Sequence, residues 1–382
     1  MEQIIIGGIV AFCLTFLAIP VIITVANEKK LYDEPDDIRK IHKRPIPSLG
    51  GFGMFIGFIL CLLLALNFKE SPEFQYYIAA LLITFFIGIK DDILILSASK
   101  KIIGQVVVAS ILVFKAKLAI TNMHGFFGVY EIDSFSSGFL TMFAMVVIMN
   151  AFNLIDGVDG LAGGIGLLTS AIFGIYFFLN GNIPYAVMGI GFAASLLAFL
   201  HYNFHPAKIF MGDTGSLMLG LVNSILVVKF VETAHTYTQY PLTAAPAIGF
   251  GIMLLPLMDT LRVFGMRISK GKSPFSPDRN HIHHLLLDRG FNHRGVTLTC
   301  MAATAIVASL SFYFQSIGTT FLIAGLICLF FGWVTVLYFK RSRYKLRVIK
   351  GEADKKSSLE EQKTSVRLVS LFTKKAATVD EE

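Results

Sequence analysis

The sequence predicts an all-α, polytopic membrane protein of about eleven transmembrane helices, and three observations lead to that prediction. First, 54% of the 382 residues are hydrophobic and only 15% are charged, whereas a soluble domain carries about 25% charged residues. Second, apolar runs recur at short intervals, many of them near the ~20 residues that span a hydrocarbon core. Third, Lys and Arg concentrate in alternate loops. Together these features exclude a soluble fold.

Eleven apolar runs can be placed along the chain. The first follows Met1 without a basic segment or a small-residue cleavage site, so it is expected to be a retained helix and not a signal peptide. Six runs are long, namely Ile4 to Ala26, Leu161 to Leu179, Ile183 to Leu200, Ala244 to Leu261, Val296 to Gln315 and Gly318 to Phe339. Five are shorter, namely Gly50 to Leu66, Phe74 to Ile89, Ile102 to Ala119, Phe139 to Ile155 and Leu217 to Val231.

The loop charges predict the orientation. If the N-terminus lies outside, 29 of the 33 Lys and Arg residues fall on the inner side, as the positive-inside rule requires. Residues 1–339 are then expected to form an integral membrane domain, and residues 340–382 a basic, disordered cytoplasmic tail. The net charge of +7 is explained by membrane orientation and attraction to anionic membrane lipid, so no nucleic-acid partner is expected.

Five polar clusters fall on this inner side. The first is the basic, proline-containing loop from Asp33 to Gly51, which alone is also typical of an ordinary positive-inside loop. The second is the pair Asp91 and Asp92 at the inner end of the third predicted helix. At about 4 Å, two such charges repel by roughly 4 kcal/mol at an effective dielectric constant near 20. A cation or a proton is therefore expected to offset them, unless they simply form a solvated helix end.

The third cluster runs from Asn150 to Gly164 and contains Asn153, Asp156 and Asp159. The two aspartates are three residues apart and would share one face of a helical turn. The glycines between and after them allow close backbone approach to a ligand, and backbone N–H groups in such a segment can hold phosphate.

The fourth cluster, residues 201–216, ends in Asp213 just before the eighth predicted helix. Asp213 has two interpretations, as the N-cap of that helix or as a metal ligand at a helix N-terminus that also favours phosphate. The fifth is the loop from Arg262 to Gly295, in which His281 and His284 would share a helix face. Zinc is one option there, but the oxygen-rich surroundings favour Mg²⁺ or Mn²⁺, with the histidines as donors to phosphate.

These five segments resemble the polyprenyl-phosphate N-acetylhexosamine-1-phosphate transferase superfamily, glycosyltransferase family 4. Four motifs occur in family order, namely Asp91-Asp92, Asn153-x-x-Asp156-Gly-x-Asp159-Gly, Phe210-Met-Gly-Asp213-Thr-Gly-Ser and His281-Ile-His283-His284. The resemblance covers roughly residues 4–339. The motif His-Ile-His-His-Leu is similar to the branch of undecaprenyl-phosphate GlcNAc-1-phosphate transferases that primes teichoic acid and lipopolysaccharide O-antigen.

The resemblance implies that a lipid phosphate attacks the β-phosphorus of a UDP-N-acetylhexosamine. The products are undecaprenyl-diphosphate-sugar and UMP, in the first step of cell-envelope glycan synthesis. The Asp-Gly-x-Asp-Gly pattern indicates a prokaryotic source. The expected location is therefore the bacterial plasma membrane, with the active site and C-terminus in the cytoplasm.

The resemblance also implies roles for individual residues. Asp213, with Asn153, would bind Mg²⁺, with Mn²⁺ as an alternative ion, although a two-step path with Asp213 as nucleophile stays open. Asp91 and Asp92 would orient or deprotonate the lipid phosphate, and Lys101 would contact it. The nucleotide would meet Asp156 and Asp159, with Lys43, Asn203 and Phe210 around the uracil, and the diphosphate or sugar would meet Arg279, His281, His283 and His284.

Three alternatives remain from the sequence. A phospho-MurNAc-pentapeptide translocase of peptidoglycan synthesis would use the same chemistry on another substrate. An ion-coupled transporter would explain carboxylates in the membrane, although transporter sites lie near the midplane and these carboxylates lie at helix ends. A structural scaffold leaves the clusters unexplained. The sequence leaves the oligomeric state open, with a homodimer as one option.

Overall fold

A computed structural model describes residues 1–29, 46–94, 96–274 and 280–339. Apart from one hairpin and one 3₁₀ turn, the regular elements in these ranges are α-helices, which confirms the predicted all-α class. They are α1 (Glu2–Lys29), α2 (Gly50–Ala65), α3 (Phe74–Leu94), α4 (Ala98–Phe114), β1 (Asn122–Phe126), β2 (Val129–Glu131), α5 (Ser134–Ile155), α6 (Leu161–Leu179), α7 (Ile183–Asn203), α8 (Gly212–Thr233), α9 (Ala245–Ile252), α10 (Leu254–Ser269), α11 (Ile282–Leu287), α12 (His293–Tyr313), the 3₁₀ turn Gln315–Ile317 and α13 (Thr319–Phe339).

The helices match the predicted apolar runs and make the chain a multi-pass membrane protein. Among the described residues, seven helices are long and apolar enough to span a membrane, and eight spans result if the bent pair α9–α10 counts as one. The remaining predicted runs correspond to α2, α3 and α4, which are helical but not among those seven. The count of eleven therefore stays a prediction.

The predicted continuous helix from Ala244 to Leu261 is wrong, because the chain breaks there. Helices α9 and α10 meet at Met253, where the helix axis bends by 76°. Pro256 has no N–H to donate to the carbonyl of Ile252, and its ring would clash with that carbonyl in a continuous helix. In the first turn of a new helix neither problem arises. The break redirects α10 and, with it, the polar loop that follows.

Helix α8 is the centre of the bundle and packs against α2, α3, α5, α6 and α9. Two glycines allow other helices to reach the backbone of its first turn. A Cβ on Gly51 would lie 2.2 Å from the nitrogen of Gly215, and one on Gly88 would lie 2.3 Å from Cα of Thr214. Because Gly88 is one turn before Asp91, this contact brings the end of α3 beside the start of α8.

The hairpin of β1 and β2 lies at the other end of α8. The carboxylate of Glu232, in the last turn of α8, accepts hydrogen bonds from the backbone N–H and the hydroxyl of Thr121, at 2.9 and 2.6 Å. A 22-residue helix is about 33 Å long at 1.5 Å per residue. The hairpin is therefore remote from the polar residues around the first turn of α8.

Candidate active site

The first turn of α8 carries Asp213, around which the predicted clusters meet. Lys101 of α4 places its Nζ 3.0 Å from Oδ2 of Asp213 and also pairs with Asp91 of α3. The amide of Asn153, in the last turn of α5, donates to Oδ1 of Asp213 and to Ser216 Oγ at 2.9 Å. Four helices thus contribute to one polar centre.

Asp213 is not the N-cap of α8, so that interpretation is wrong. It is the second residue of the helix, and its carboxylate faces Lys101 and Asn153 and not its own backbone. The cap comes from α3. The Asp92 carboxylate accepts from the backbone N–H of Asp213 at 2.7 Å and from the N–H and hydroxyl of Thr214 at 3.1 and 2.5 Å.

The negative charges of the adjacent residues Asp91 and Asp92 are therefore offset by different groups. Such compensation is expected, because the two carboxylates repel each other. Asp91 is buried and paired with Lys101. Asp92 binds the N-terminus of α8, where unpaired N–H groups and the helix dipole favour negative charge. The two residues consequently have different surroundings, and Asp91 lies beside Lys101, a basic side chain that could also meet a phosphate.

Asp159 is buried between two histidines in the loop that joins α5 to α6. Its carboxylate lies 2.7 Å from Nδ1 of His205 and 3.2 Å from Nδ1 of His293. Burial acts to raise the pKa of Asp159, but hydrogen bonds from His293 and His205 outweigh it and hold the pKa well below its usual range. Asp159 is therefore a firmly held carboxylate.

Asp156, three residues earlier, has the opposite environment. Burial raises its pKa to about 7, and nearby carboxylates add to the shift, namely Asp213, Asp92 and Asp159. A carboxyl group in this position takes up a proton or a cation readily near neutral pH.

Asn203 and Phe210, predicted near the nucleotide, connect the surrounding loops. The buried amide of Asn203 accepts from the N–H of Gly160 and donates to the carbonyl of Ile209, both at 2.9 Å. The backbone N–H of Phe210 donates to Pro47 at 2.7 Å, so the end of the first polar loop joins the site. The partly exposed Phe210 ring is consistent with its predicted contact to a base, which stays a prediction.

The predicted histidine segment, residues 281–284, leads into α11 and lies beside the loop that joins α5 to α6. His283 is buried against the loop after α5, where a Cβ on Gly157 would lie 2.5 Å from its Nε2. Burial, together with the neighbouring imidazole of His284, lowers the pKa of His283 to about 3, so this ring is neutral. His281 stacks on His283 with ring centroids 5.6 Å apart and planes at 3°. Lys43 and Arg279 lie outside the described residues.

Four further polar residues at the site have no role in the sequence-based assignment. Asp259 and Arg262 of α10 form a buried pair next to His281, and His205 and His293 enclose Asp159. The sequence contains a signal for Asp259, because this residue is a charge inside the apolar run Ala244 to Leu261. The pairing of Asp159 with His293, which is 134 positions away, has no local signal.

Among the residues that the structure describes, two groups of side chains could hold a metal ion. Asp213, Asn153 and Ser216 offer carboxylate, amide and hydroxyl oxygens, the hard donors that suit Mg²⁺, once the Asn153 amide turns its oxygen inward. Asp159, His205 and His293 place their ligand atoms within 4.8 Å of one another. That group is richer in nitrogen, as transition metals prefer, but its carboxylate is already hydrogen-bonded to both rings.

The helical bundle and the cluster of polar side chains at one of its ends define a multi-pass membrane protein with a buried acidic site. Residues 74–231 match the model of glycosyl transferase family 4. The chain is 32% identical to the undecaprenyl-phosphate alpha-N-acetylglucosaminyl 1-phosphate transferase of Salmonella typhi, over 74% of this chain and 76% of that one. It is 33% identical to the decaprenyl-phosphate N-acetylglucosaminephosphotransferase of Mycobacterium leprae, over 81% and 83%. The chain belongs to glycosyl transferase family 4.

Proposed function

We propose that this chain transfers N-acetylglucosamine-1-phosphate from UDP-GlcNAc to undecaprenyl phosphate, giving undecaprenyl-diphosphate-GlcNAc and UMP. A phosphate oxygen of the lipid forms a bond to the β-phosphorus, and the bond from that phosphorus to the bridging oxygen breaks, so UMP leaves. The observation that carries the proposal is the meeting of Asp91, Lys101, Asn153 and Asp213 at one end of an apolar helix bundle. There a lipid phosphate and a water-soluble nucleotide can reach each other.

Lys101 is the proposed contact of the lipid phosphate. Its ammonium lies between the carboxylates of Asp91 and Asp213, so an incoming phosphate would meet a positive charge with a carboxylate on each side. Asp91 is then placed to orient the phosphate or to take its proton. Asp92, bound to the first turn of α8, holds Asp213 in position and does not contact the lipid in this proposal.

Asp213 and Asn153 are the proposed ligands of Mg²⁺, which would offset the negative charge that develops on the diphosphate. Oδ2 of Asp213 accepts a hydrogen bond from the Lys101 ammonium at 3.0 Å, which lowers its nucleophilicity, while Oδ1 becomes available to a metal ion once the Asn153 amide turns its oxygen inward. The arrangement supports a ligand role over the two-step path in which Asp213 attacks phosphorus.

The nucleotide is proposed to lie over the loop that joins α5 to α6. Asp156 and Asp159 belong to that loop, Phe210 lies in the segment before α8, and aromatic rings stack well on bases. The neutral ring of His283 lies against the same loop, His281 stacks on it, and both would meet the sugar or the diphosphate. In the plasma membrane, this end of the bundle would face the cytoplasm, an orientation supported by the excess of Lys and Arg in its loops.

The proposal is tested with the purified full-length chain and a panel of radiolabelled UDP-sugars, undecaprenyl phosphate and Mg²⁺. UDP-GlcNAc should give a labelled lipid, and UDP-MurNAc-pentapeptide should not; the reverse result would identify a translocase instead. Since one phosphoanhydride is exchanged for another, lipid diphosphate-GlcNAc and UMP should regenerate UDP-GlcNAc. Ion flux without any nucleotide consumption would contradict the proposal and support a transporter.

Asp213→Ala tests the metal assignment. It should abolish transfer while the protein still inserts, and near-normal activity would overturn the assignment. Glu232→Gln, at the hairpin end of α8, is the matched control and should retain activity. The one-step path predicts that radiolabelled UMP does not exchange into UDP-GlcNAc without the lipid; such exchange would indicate a nucleophilic carboxylate.

A further inference from the structure

A buried cluster joins the broken helix to the histidine segment. Asp259 lies in α10, one turn before Arg262, and both side chains are buried. One oxygen of the Asp259 carboxylate accepts from Arg262 at 2.8 Å and from the backbone N–H of Ile282 at 3.1 Å. The other lies 2.9 Å from Nδ1 of His281. A single carboxylate therefore holds both the ring and the backbone of the histidine segment.

Charge balance alone does not explain the contact with His281. Arg262 is permanently charged, so it neutralises Asp259 by itself. Arg262 is also held in place, since it donates to the hydroxyl of Tyr338 at 3.0 Å and to the carbonyl of Asn280. A purely structural ion pair would be complete at that point, and yet the second carboxylate oxygen is directed at the imidazole.

The contact fixes the chemistry of the imidazole. An ionised carboxylate only accepts hydrogen bonds, so Nδ1 of His281 carries the proton and Nε2 is the nitrogen left to meet a ligand. The ring plane is fixed as well, because His281 stacks in parallel on His283. His283 in turn lies against Gly157, between Asp156 and Asp159.

We propose that Asp259 is a positioning residue that holds His281 with its proton on Nδ1 and sets residues 281–284 against the loop after α5. This inference rests on the proposed transfer reaction for its kinetic readout. The break between α9 and α10 has a part in it, because it directs α10, and with it Asp259, toward the histidine segment. Removing a carboxylate that orients a metal-binding histidine typically costs about 10- to 100-fold in activity, and we expect a loss of the same order here.

The first test is kinetic. Asp259→Asn should lower kcat by about 10- to 100-fold with a smaller change in KM for UDP-GlcNAc, since the amide can donate to Nδ1 and so favour the wrong tautomer. In the His281→Asn background the same substitution should lower kcat much less, because only its effect through the N–H of Ile282 remains. If the two losses multiply instead, Asp259 does not act through His281 and the inference is wrong.

The second test separates positioning from charge pairing. Asp259→Asn leaves Arg262 buried without its partner, which can destabilise the fold by itself. In the double variant Asp259→Asn/Arg262→Gln both charges are gone, so the apparent Tm of the detergent-solubilised protein should recover while transfer stays low. Recovery of transfer together with Tm would overturn the inference. Tyr338→Phe removes one hydrogen bond of the same cluster without touching the histidine segment and should keep near-normal transfer.

The third test needs no activity. Hydrogen exchange measured by mass spectrometry should be faster in the peptide around residues 280–288 in Asp259→Asn, because the N–H of Ile282 then faces a neutral amide oxygen, a weaker acceptor than a carboxylate. Tyr338→Phe should leave that peptide unchanged. Unchanged exchange in Asp259→Asn contradicts the inference even if the wild-type chain transfers no sugar, whereas an inactive wild-type chain contradicts only the proposed function.

Discussion

The roles of Asp91 and Asp92 can be separated experimentally, because Asp92 caps α8. Asp91 and Asp92 are adjacent, but Asp91 pairs with Lys101 whereas Asp92 binds the backbone of Asp213 and Thr214. We expect Asp92→Ala to destabilise the fold and to displace Asp213, and Asp91→Asn to remove activity with little effect on stability. Asp92→Asn and Thr214→Val complete a graded series.

The size of the Asp92 effect follows from its hydrogen bonds. The carboxylate accepts two N–H groups and one hydroxyl, and each donor left unpaired costs about 1–3 kcal/mol. Asp92 is half-buried, so water can partly replace it, and the lower figure is appropriate. Asp92→Ala should then destabilise by about 3 kcal/mol, and Thr214→Val, which loses one bond, by about 1 kcal/mol. The destabilisation by Asp92→Asn should lie between these two values. The amide oxygen can still accept one hydrogen bond, but the amide NH2 faces an N–H or hydroxyl group that is itself a donor.

The assay combines the apparent Tm of the detergent-solubilised protein with transfer rates at increasing Mg²⁺ concentration. In Asp92→Ala the rate should fall and the Mg²⁺ concentration needed for half-maximal rate should rise, because Asp213 moves; a displacement near 1 Å can lower a rate about 100-fold. If Asp92→Ala retains the wild-type Tm and Mg²⁺ dependence but is inactive, Asp92 acts on substrate and the capping argument fails.

Two further predictions concern the glycine contact and the raised pKa. Gly88→Ala places a methyl group 2.3 Å from Cα of Thr214, so α3 must move away from α8; we expect transfer to fall about 100-fold, while Gly332→Ala, which has open space, should be neutral in the same assay. Asp156→Asn should raise the apparent Tm at pH 8 in EDTA but not at pH 4. The pKa of Asp156 is raised to about 7, so its ionisation opposes folding increasingly from about pH 4 to pH 7 and fully above that. Its partial exposure reduces the gain to about 1–2 kcal/mol, and an equal Tm difference at both pH values would contradict the assignment.

Local sequence patterns predict most of the helices. The apolar run Leu161 to Leu179 has the same bounds as α6, since glycine-rich and polar segments flank it. The start of α5 was placed too late, at Phe139, because its first turn is polar and small. The structure begins it at Ser134, where Asp133 accepts from the N–H groups of Phe135 and Ser136. Hydropathy cannot detect a turn that depends on a cap.

The end of the bundle at which the polar clusters meet was also predictable, because helix after helix reverses direction and alternate loops share a side. The partners were not. Asp159 meets His205 and His293, and Asp91 shares Lys101 with Asp213. Such pairs depend on which helices pack together and in what register, and no spacing within one segment contains that information.

The carboxylates at this end of the bundle differ in how completely their charges are compensated. Asp92 has the N-terminus of α8, Asp159 has two histidines, and Asp259 has Arg262 and His281. Asp213 shares one lysine with Asp91 and keeps 30% of its side chain exposed, and the neighbours that shift the pKa of Asp156 are all carboxylates. The binding of an added cation is therefore electrostatically most favourable beside Asp213 and Asp156. That is where a proposed Mg²⁺ ion and the diphosphate it binds would complete the charge balance, while the fully paired carboxylates keep the loops around them in place.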